Sequence, residues 1–390
     1  MRLPSPFSRV EERKPKMSTS DHAATISRSR GTRPPLVWVG WLSMGALALA
    51  VLYILGRNLV ANPPLFVQNV IDGLKLGFVY ALIALGYTMV YGIVKLINFA
   101  HGDVFMVGAF TSYYAVTRFN LHQWPAALIP GCPPGLSMVV GSATVILLSM
   151  IICVIMAITI ERVAYKPLRD APRIAALITA IGVSFFLEYF GALHFVYSPR
   201  FIPYKAPFPV VAWYVEGGIK QIIPGVEVAA SAVTFSNIVL IIMAASILVQ
   251  VLLQFIVRRT KVGMAMRATS FDKPTARLMG INVDQVISFT FAIGAAFAGL
   301  GGVLFAIAYS SINTLLGIMP GLKAFIAAVL GGIGSIPGAF VGALIMGQAD
   351  SMTAAYISTP MRDAISFTIL IVVLLVKPTG IFGEPEKEKA

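Results

Sequence analysis

Long runs of apolar residues recur along this chain, separated by shorter polar segments. One example is the run 36–55, which carries Trp38, Trp41 and Tyr53 near its ends. A transmembrane helix needs about 20 apolar residues, so such runs are long enough to cross a bilayer. Of the 390 residues, 12% are charged, which is about half the share in a typical soluble domain. The sequence therefore predicts an all-α polytopic membrane protein.

The apolar runs predict about ten membrane segments, of which two are short. A signal peptide would have a shorter apolar region followed by a small-residue cleavage site, so we expect the first span to be retained. The polar, basic residues 1–35 are expected to be disordered. The predicted spans are residues 36–55, 70–94, 97–117, 136–160, 174–197, 233–257, 285–309, 321–334, 337–355 and 362–377.

The net charge of +13 arises mainly from Lys and Arg at the ends of the apolar runs. Nucleic-acid binding would instead need a basic patch interleaved with aromatic residues. Cytoplasmic loops of membrane proteins carry an excess of Lys and Arg. With ten spans, this rule places both termini and the segment 258–284 in the cytoplasm, while the outer loops hold few basic residues. The outer segment 198–232 has Pro, Gly and β-branched residues and predicts a small hairpin or cap.

Glycine residues predict where spans pack closely or break. Small residues four apart, as at Gly73 and Gly77, allow helix backbones to approach each other in lipid. In the stretch 331–338, four glycines and a proline interrupt an apolar run. A broken helix at membrane depth is tolerated where protein or a cavity covers it. We therefore include Gly332 and Gly334 among the candidate residues of a solute pathway.

The segment 258–284 is the longest polar interruption between two spans, and it is strongly basic. Its middle predicts two short helices, the second capped by Asp272, with Pro274 in its first turn and Gly280 just past its end. Leu278 and neighbouring apolar residues would give that helix an apolar side. A basic helix resting on anionic lipid is the alternative, but the capped pattern favours a protein-docking surface. The candidate docking residues are Arg267, Asp272, Pro274, Ala276, Arg277 and Gly280.

Polar residues inside spans are costly and often functional. The densest group, Asn98, His101 and Asp103, is assigned to a solute pathway. Helix capping or packing is at least as good an explanation, with Asn98 as the N-cap and Asp103 near the positive end of the helix dipole. Other charged residues, including Glu188 and Asp350, are placed near span ends, where snorkelling explains them. The spans therefore show no acid pair of the kind that relays protons, which argues against a secondary transporter.

Four long stretches resemble the LivH-type permease subunits of bacterial branched-chain amino acid ABC importers. They are GLKLGFVYALIALGYTMVYGIVKLINFAHGDVFMVGAF (73–110), ERVAYKPLRDAPRIAALITAIGVSFFLEY (161–189), MRATSFDKPTARLMGINVDQVISFTFAIGAAFAGLGGVLFA (266–306) and LKAFIAAVLGGIGSIPGAFVGALIMG (322–347). The resemblance covers roughly residues 65–383, whereas the basic tail and first span are added ahead of it. It implies a permease domain at 61–383, an extra span at 36–60 and a cytoplasmic tail at 384–390.

The resemblance also implies a type II ABC importer-like permease fold in the inner membrane. The partners would be a second homologous permease subunit, two cytoplasmic ATP-binding subunits and a periplasmic solute-binding protein. The segment 258–284 would couple the permease to the ATPases, and neither a cofactor nor a metal is expected. The sequence itself has no G-x-x-x-x-G-K-[ST] phosphate loop and no zinc or nucleophile motif. ATP hydrolysis is therefore expected on separate subunits.

Three alternatives remain open at this point. Permeases for urea and short amides resemble the same family, so the solute could be another small polar molecule. An ATP-independent carrier or channel is the second alternative, and both the basic cytoplasmic segment and the lack of mid-span acid pairs argue against it. A membrane-embedded enzyme would need a nucleophile or metal constellation that the sequence lacks.

Overall fold

The computed structural model describes residues 53–129, 131–169, 171–216, 218–223 and 232–383, together with residues 45, 49 and 229. These residues belong almost entirely to one compact unit, Val51–Ala390. The predicted disordered tail 1–35, most of the added span 36–60 and the tail 384–390 lie outside them.

The described residues form a bundle of helices with two small sheets. Helix α1 is described from residue 53 to residue 61. The helices that follow are α2 (Pro63–Val94), α3 (His101–Thr117), α4 (Trp124–Leu128), α5 (Pro134–Ile160), α6 (Arg173–Gly191), α7 (Asn237–Arg259), α8 (Lys261–Phe271), α9 (Lys273–Leu278), α10 (Val283–Tyr309), α11 (Ile318–Gly331), α12 (Ile336–Tyr356) and α13 (Met361–Val376). A π-helical turn (Glu161–Tyr165) and a 3-10 turn (Lys166–Leu168) follow α5, and a 3-10 turn (Leu121–Gln123) precedes α4.

Helix α2 lies at the centre of the bundle and packs against α10, α11 and α12. Most of its side chains beyond Leu76 are buried, and they form the core with α3 and α10. Glycines let the backbones approach closely: a Cβ at Gly77 would lie 3.0 Å from the Cα of Leu344 in α12. The predicted packing role of Gly77 is therefore confirmed.

Five helical segments among the described residues are long and apolar enough to cross a membrane: Pro63–Val94, Pro134–Leu168, Ile174–Gly191, Asn237–Arg259 and Val283–Tyr309. Each coincides with a predicted span. The helices α3, α11 and α13 also lie where spans are predicted, but they have 17, 14 and 16 residues. The structure thus confirms a mainly helical protein with apolar spans, while the total of ten stays a prediction.

The predicted outer hairpin is present as part of a three-stranded antiparallel sheet. Its strands are β2 (Ala212–Val215), β3 (Ile219–Gln221) and β4 (Val233–Ser236), with β2 in the middle. A second pair joins β1 (Ile202–Pro203) to β5 (Ser311–Ile312). The protein is therefore mainly α-helical, with small β elements that an all-α assignment omits.

A non-helical break separates α2 from α3. Helix α2 ends at Lys95 in a left-handed conformation (φ 61°), and residues 95–98 lack helical structure. The next helix begins at His101, whose ring lies against Gly86 of α2. The start of α3 therefore lies beside Gly86, eight residues before the C-terminal end of α2.

Candidate functional site: the coupling segment and the bundle interior

The segment 258–284 between α7 and α10, which we name the coupling segment for its predicted role, folds into the two predicted short helices. Thr260 caps α8, because its Oγ1 accepts a hydrogen bond from the Gly263 amide at 3.0 Å. Asp272 caps α9: its carboxylate accepts a hydrogen bond from the Thr275 amide at 3.5 Å, and also one from the Thr275 hydroxyl at 2.8 Å. Gly280 follows α9 with φ 82°, a conformation that favours glycine. The predicted cap, first-turn proline and terminal glycine are confirmed.

The two helices expose a cluster of large apolar side chains, which we name the coupling surface: Met264, Phe271, Leu278 and Met279. Leu278 is 87% exposed and Met279 is 78% exposed. A shallow cavity of about 680 Å³ lies between the helices and is lined by three of these four side chains. Exposed apolar clusters of this kind mark sites of protein or membrane contact.

The six candidate docking residues do not all lie on the surface. Arg267, Pro274, Arg277 and Gly280 are exposed, and Asp272 is half-buried. Ala276 is buried, so it supports the packing of α9 and does not offer a contact to a partner. The most exposed side chains of α9 are apolar rather than basic.

The coupling segment is attached to the bundle by contacts that the sequence did not reveal. The Lys273 ammonium donates a hydrogen bond to the Val94 carbonyl at the end of α2, with a distance of 3.0 Å. Next to it, a cavity of about 250 Å³ is lined by Lys95, Tyr165, Arg169 and Lys273. The coupling segment therefore contacts the point where α2 breaks.

A second attachment is a network of ion pairs beneath the segment. Glu161 is fully buried, and it pairs with Arg169 and accepts a hydrogen bond from the Ser288 hydroxyl at 2.7 Å. Arg169 also pairs with Asp284, which lies 2.9 Å from the Lys166 ammonium. The residues Glu161 and Arg169 stand eight positions apart in a turn-rich basic stretch, where no helical or strand period predicts their contact.

Asn98 lies in the break before α3, but it does not cap that helix. The N-cap position is Ala100, which makes no side-chain cap. The Asn98 side chain is buried and accepts a hydrogen bond from the Tyr165 hydroxyl at 2.6 Å. The predicted capping role is therefore wrong, and Asn98 instead ties the break to the π-helical turn.

His101 and Asp103 lie in the first turn of α3 and are buried. The His101 ring packs against Tyr87, with ring centroids 4.8 Å apart, and its Nε2 atom has no hydrogen-bond partner within the described residues. The sequence correctly placed Asp103 near the positive end of the helix. The His101 side chain thus lies against α2, whereas the Asp103 side chain contacts α6.

Asp103 forms an acid pair with Glu188 of α6 through a shared hydroxyl. The Ser184 hydroxyl lies within hydrogen-bond distance of both carboxylates. Both acids are buried, and a single hydroxyl proton can be donated to only one of them at a time. The sequence predicted no acid pair in the middle of a span, and this pair lies near the start of α3 and the end of α6. The sequence did not reveal it, because the two carboxylates come from different helices.

Gly332 and Gly334 occupy the tight turn between α11 and α12, both with positive φ. The interruption predicted at 331–338 is confirmed. It is the turn of a hairpin between two separate helices, and not a break within one span. A Cβ at Gly332 would lie 2.6 Å from the Gly383 amide nitrogen, so the residues near the end of the chain cover this turn. Gly334 faces Gly92 of α2, six residues beyond the Gly86 that contacts His101. The structure does not bring this turn together with Asn98, His101 and Asp103.

Asp350 is not a snorkelling residue. It is almost fully buried in α12 and pairs with Lys323 of α11 at 2.7 Å. Its carboxylate also accepts hydrogen bonds from the hydroxyls of Tyr80 and Ser366. Four helices, α2, α11, α12 and α13, contribute to this network. The position of Asp350 along its own span does not predict these contacts.

The family model described as "Branched-chain amino acid transport system / permease component" matches residues 69–374. The chain belongs to this family. It is 42% identical to the high-affinity branched-chain amino acid transport system permease protein LivH of Escherichia coli K12, over 83% of this chain and 97% of the relative. BraD of Pseudomonas aeruginosa, a permease of the same description, is 39% identical over 83% of this chain and 98% of its own length.

A more distant relative is the autoinducer 2 import system permease protein LsrC of Salmonella paratyphi B, which is 29% identical over 42% of this chain and 47% of its own length. No solved structure is significantly similar to the chain. The resemblance inferred from the sequence is confirmed, as is the assignment to a transport permease and not to an enzyme. The family model leaves residues 1–68 unmatched.

Proposed function

We propose that this chain is the membrane-spanning permease subunit of an ATP-binding-cassette importer that carries branched-chain amino acids across the bacterial inner membrane. Its partners would be a second homologous permease subunit, two cytoplasmic ATP-binding subunits and a periplasmic solute-binding protein. The names of its relatives support the solute class. The positive-inside distribution of Lys and Arg supports cytoplasmic termini.

The observation that carries the proposal is the coupling surface. Two capped helices hold Leu278 and Met279 out from the bundle, where neither side chain contributes to the core. Keeping such side chains exposed is unfavourable unless a partner covers them. An ATPase groove that buries them would supply this cover, with Arg267 and Arg277 at its rim.

The contacts behind the coupling surface offer a path for movement into the bundle. Lys273, the first residue of α9, holds the carbonyl of Val94 at the end of α2. The chain then turns through Lys95 and reaches Asn98, which is held by Tyr165. A displacement of α9 would therefore act on the break that positions the start of α3.

The solute pathway is proposed to run past the start of α3, where Asn98, His101 and Asp103 lie. The helix α12 and the shorter helices α3, α11 and α13 would complete about ten spans in a type II ABC importer-like fold, with residues 36–60 as an added span. Gly332 and Gly334 are better explained by the hairpin that they form than by solute contact. Their positive φ values and close backbone neighbours are sufficient reasons for glycine there.

The docking role is tested by replacing Leu278 with aspartate in the tagged, fully assembled transporter. Because Leu278 is exposed, the variant should fold normally, but a charge in an apolar interface should weaken retention of the ATP-binding subunits by at least about tenfold. Phe201→Asp is the matched control, since Phe201 is also highly exposed but lies in the loop that follows α6. Copurification of the ATPases and ATP-dependent leucine uptake are measured for both. Normal retention and uptake in Leu278→Asp would contradict the docking role.

The acid pair Asp103–Glu188 is an observation that favours a second candidate, an ATP-independent carrier coupled to protons. Buried carboxylates between helices are found in proton relays. The two functions are separated by reconstituting this chain without the ATP-binding subunits and imposing a proton gradient. Leucine uptake under those conditions would support the carrier, and uptake that needs ATP and the other subunits would support the importer.

A further inference from the structure

A separate cavity opens at the end of the bundle opposite the coupling surface. Its lining includes Leu76 of α2, which is 18 residues, or roughly 27 Å of helix, from the Val94 that Lys273 contacts. The cavity has a volume of about 400 Å³, which is within the usual range for small-molecule sites. The candidate residues at the start of α3 do not line it.

One side of the cavity carries a balanced set of charges. Lys323 and Arg362 supply two positive charges, and Asp363 on the lining and Asp350 directly behind it supply two negative ones. Lys323 lies 2.7 Å from Asp350 and 2.8 Å from Asp363, and it is buried. A neutral zwitterion leaves this balance unchanged, whereas a solute with a net charge does not.

Two of these groups keep hydrogen-bonding capacity for a ligand. The Arg362 side chain is 31% exposed, so part of its guanidinium is open to a ligand, and the carboxylate of Asp350 lies 3.9 Å from it. Asp363 uses one carboxylate oxygen for Lys323, and its side chain is 46% exposed. The guanidinium can therefore bind a carboxylate, and the second Asp363 oxygen can accept from an ammonium group.

The other side of the cavity is apolar. Leu76 and Phe305 form its buried wall, while Leu315, Leu316 and Met319 line it from the segment before α11 and its first turn. Leu315 and Met319 are about half exposed. An aliphatic side chain placed here would cover apolar surface that is otherwise in water, which favours binding.

We propose that this cavity is a binding site for a zwitterionic α-amino acid with a branched aliphatic side chain. Arg362 binds the carboxylate, Asp363 binds the ammonium group, and the apolar wall contacts the side chain. The inference rests on the proposed function, since it names a site on this permease for the solute class of the importer. Because the cavity lies opposite the coupling surface, it would receive solute at the outer face before the solute reaches the start of α3.

The test measures equilibrium binding of radiolabelled leucine to the purified complex of permease and ATP-binding subunits, without the solute-binding protein. Unlabelled leucinamide, which lacks the carboxylate, and 4-methylpentanoate, which lacks the ammonium group, serve as competitors. We expect Arg362→Gln to weaken leucine binding by about tenfold or more, the effect of losing a hydrogen bond to a charged group. Leucinamide binding should be unchanged in that variant, because the contact is already missing.

Asp363→Asn should give the reciprocal result, weakening leucine while leaving 4-methylpentanoate unchanged. A purely structural role for either residue would weaken all three compounds together. Arg200→Gln is the matched control, since Arg200 is an exposed arginine that does not line the cavity. Its leucine binding should equal that of the wild type.

The proposal is overturned if the wild-type complex binds no leucine, or if Arg362→Gln binds leucine as the wild type does. Import by the complete transporter, with its solute-binding protein, is measured separately. Normal leucine import without leucine binding to the complex would overturn the site alone. Absence of leucine import in the wild type would overturn the proposed function, whatever the binding measurement gives.

Discussion

Replacing Lys323 with methionine would remove the counter-ion of a buried carboxylate. Asp350 is 1% exposed, and the Lys323 ammonium lies 2.7 Å from it. Methionine has a similar length and no charge, so the change leaves little space unfilled. The variant therefore isolates the electrostatic contribution of the pair.

The expected loss of stability follows from the contacts that remain. Removing one partner of a buried ion pair costs about 3–5 kcal/mol, because the other charge is left uncompensated. The hydroxyls of Tyr80 and Ser366 still donate to Asp350, at 2.8 and 2.9 Å, and the Arg362 guanidinium remains 3.9 Å from it. We therefore expect a loss near the lower end, about 3 kcal/mol, which should lower the unfolding temperature of the detergent-solubilised protein by several degrees.

A matched control and a double variant make this prediction decisive. Lys75→Met removes a partner of Asp72 from an accessible pair, which should cost less than about 1 kcal/mol. Combining Lys323→Met with Asp350→Asn removes the uncompensated charge, so most of the lost stability should return. Unfolding of Lys323→Met at the wild-type temperature would refute the reasoning, and so would a double variant no more stable than the single one.

Two further predictions concern close packing and coupling. A Cβ at Gly108 would lie 2.7 Å from the Gly299 Cα, so Gly108→Ala should destabilise the protein by about 1–3 kcal/mol in thermal unfolding. Gly182→Ala is the control and should not destabilise it, because nothing lies within 4 Å of a Cβ there. Equal unfolding temperatures for the two variants would contradict the packing. Lys273→Met removes the hydrogen bond to the Val94 carbonyl, so the ATPases should remain bound while less leucine is imported per ATP hydrolysed. An unchanged ratio would show that this contact does not transmit movement.

The sequence predicted the local elements well, because their signals are local. Asp272 and Gly280 mark the two ends of α9 through capping and positive φ, and both are chemical preferences of single residues. The apolar runs likewise predicted the long helices. The two helices of the coupling segment and their ends were therefore predictable from the residues of that segment alone.

Contacts between distant parts of the chain could not be predicted in the same way. Asp103 and Glu188 are 85 positions apart, and Lys323 and Asp350 belong to different helices. Their pairing depends on how the helices pack, and no period along a single helix encodes it. The capping role of Asn98 failed for a related reason: Tyr165 offers it a partner from another part of the chain.

The length of α2 has a mechanical consequence. Its 32 residues span roughly 48 Å, well beyond the hydrocarbon thickness of about 30 Å. Near one end, Gln68 accepts a hydrogen bond from the Thr234 amide of the outer sheet at 2.8 Å; at the other end, Val94 accepts from Lys273. The helix thus acts as a rigid lever: a tilt of about 5° about one end would carry the other end about 4 Å. In the proposed importer, a small movement at the coupling surface would therefore reach the opposite end of α2, where the amino acid site is proposed.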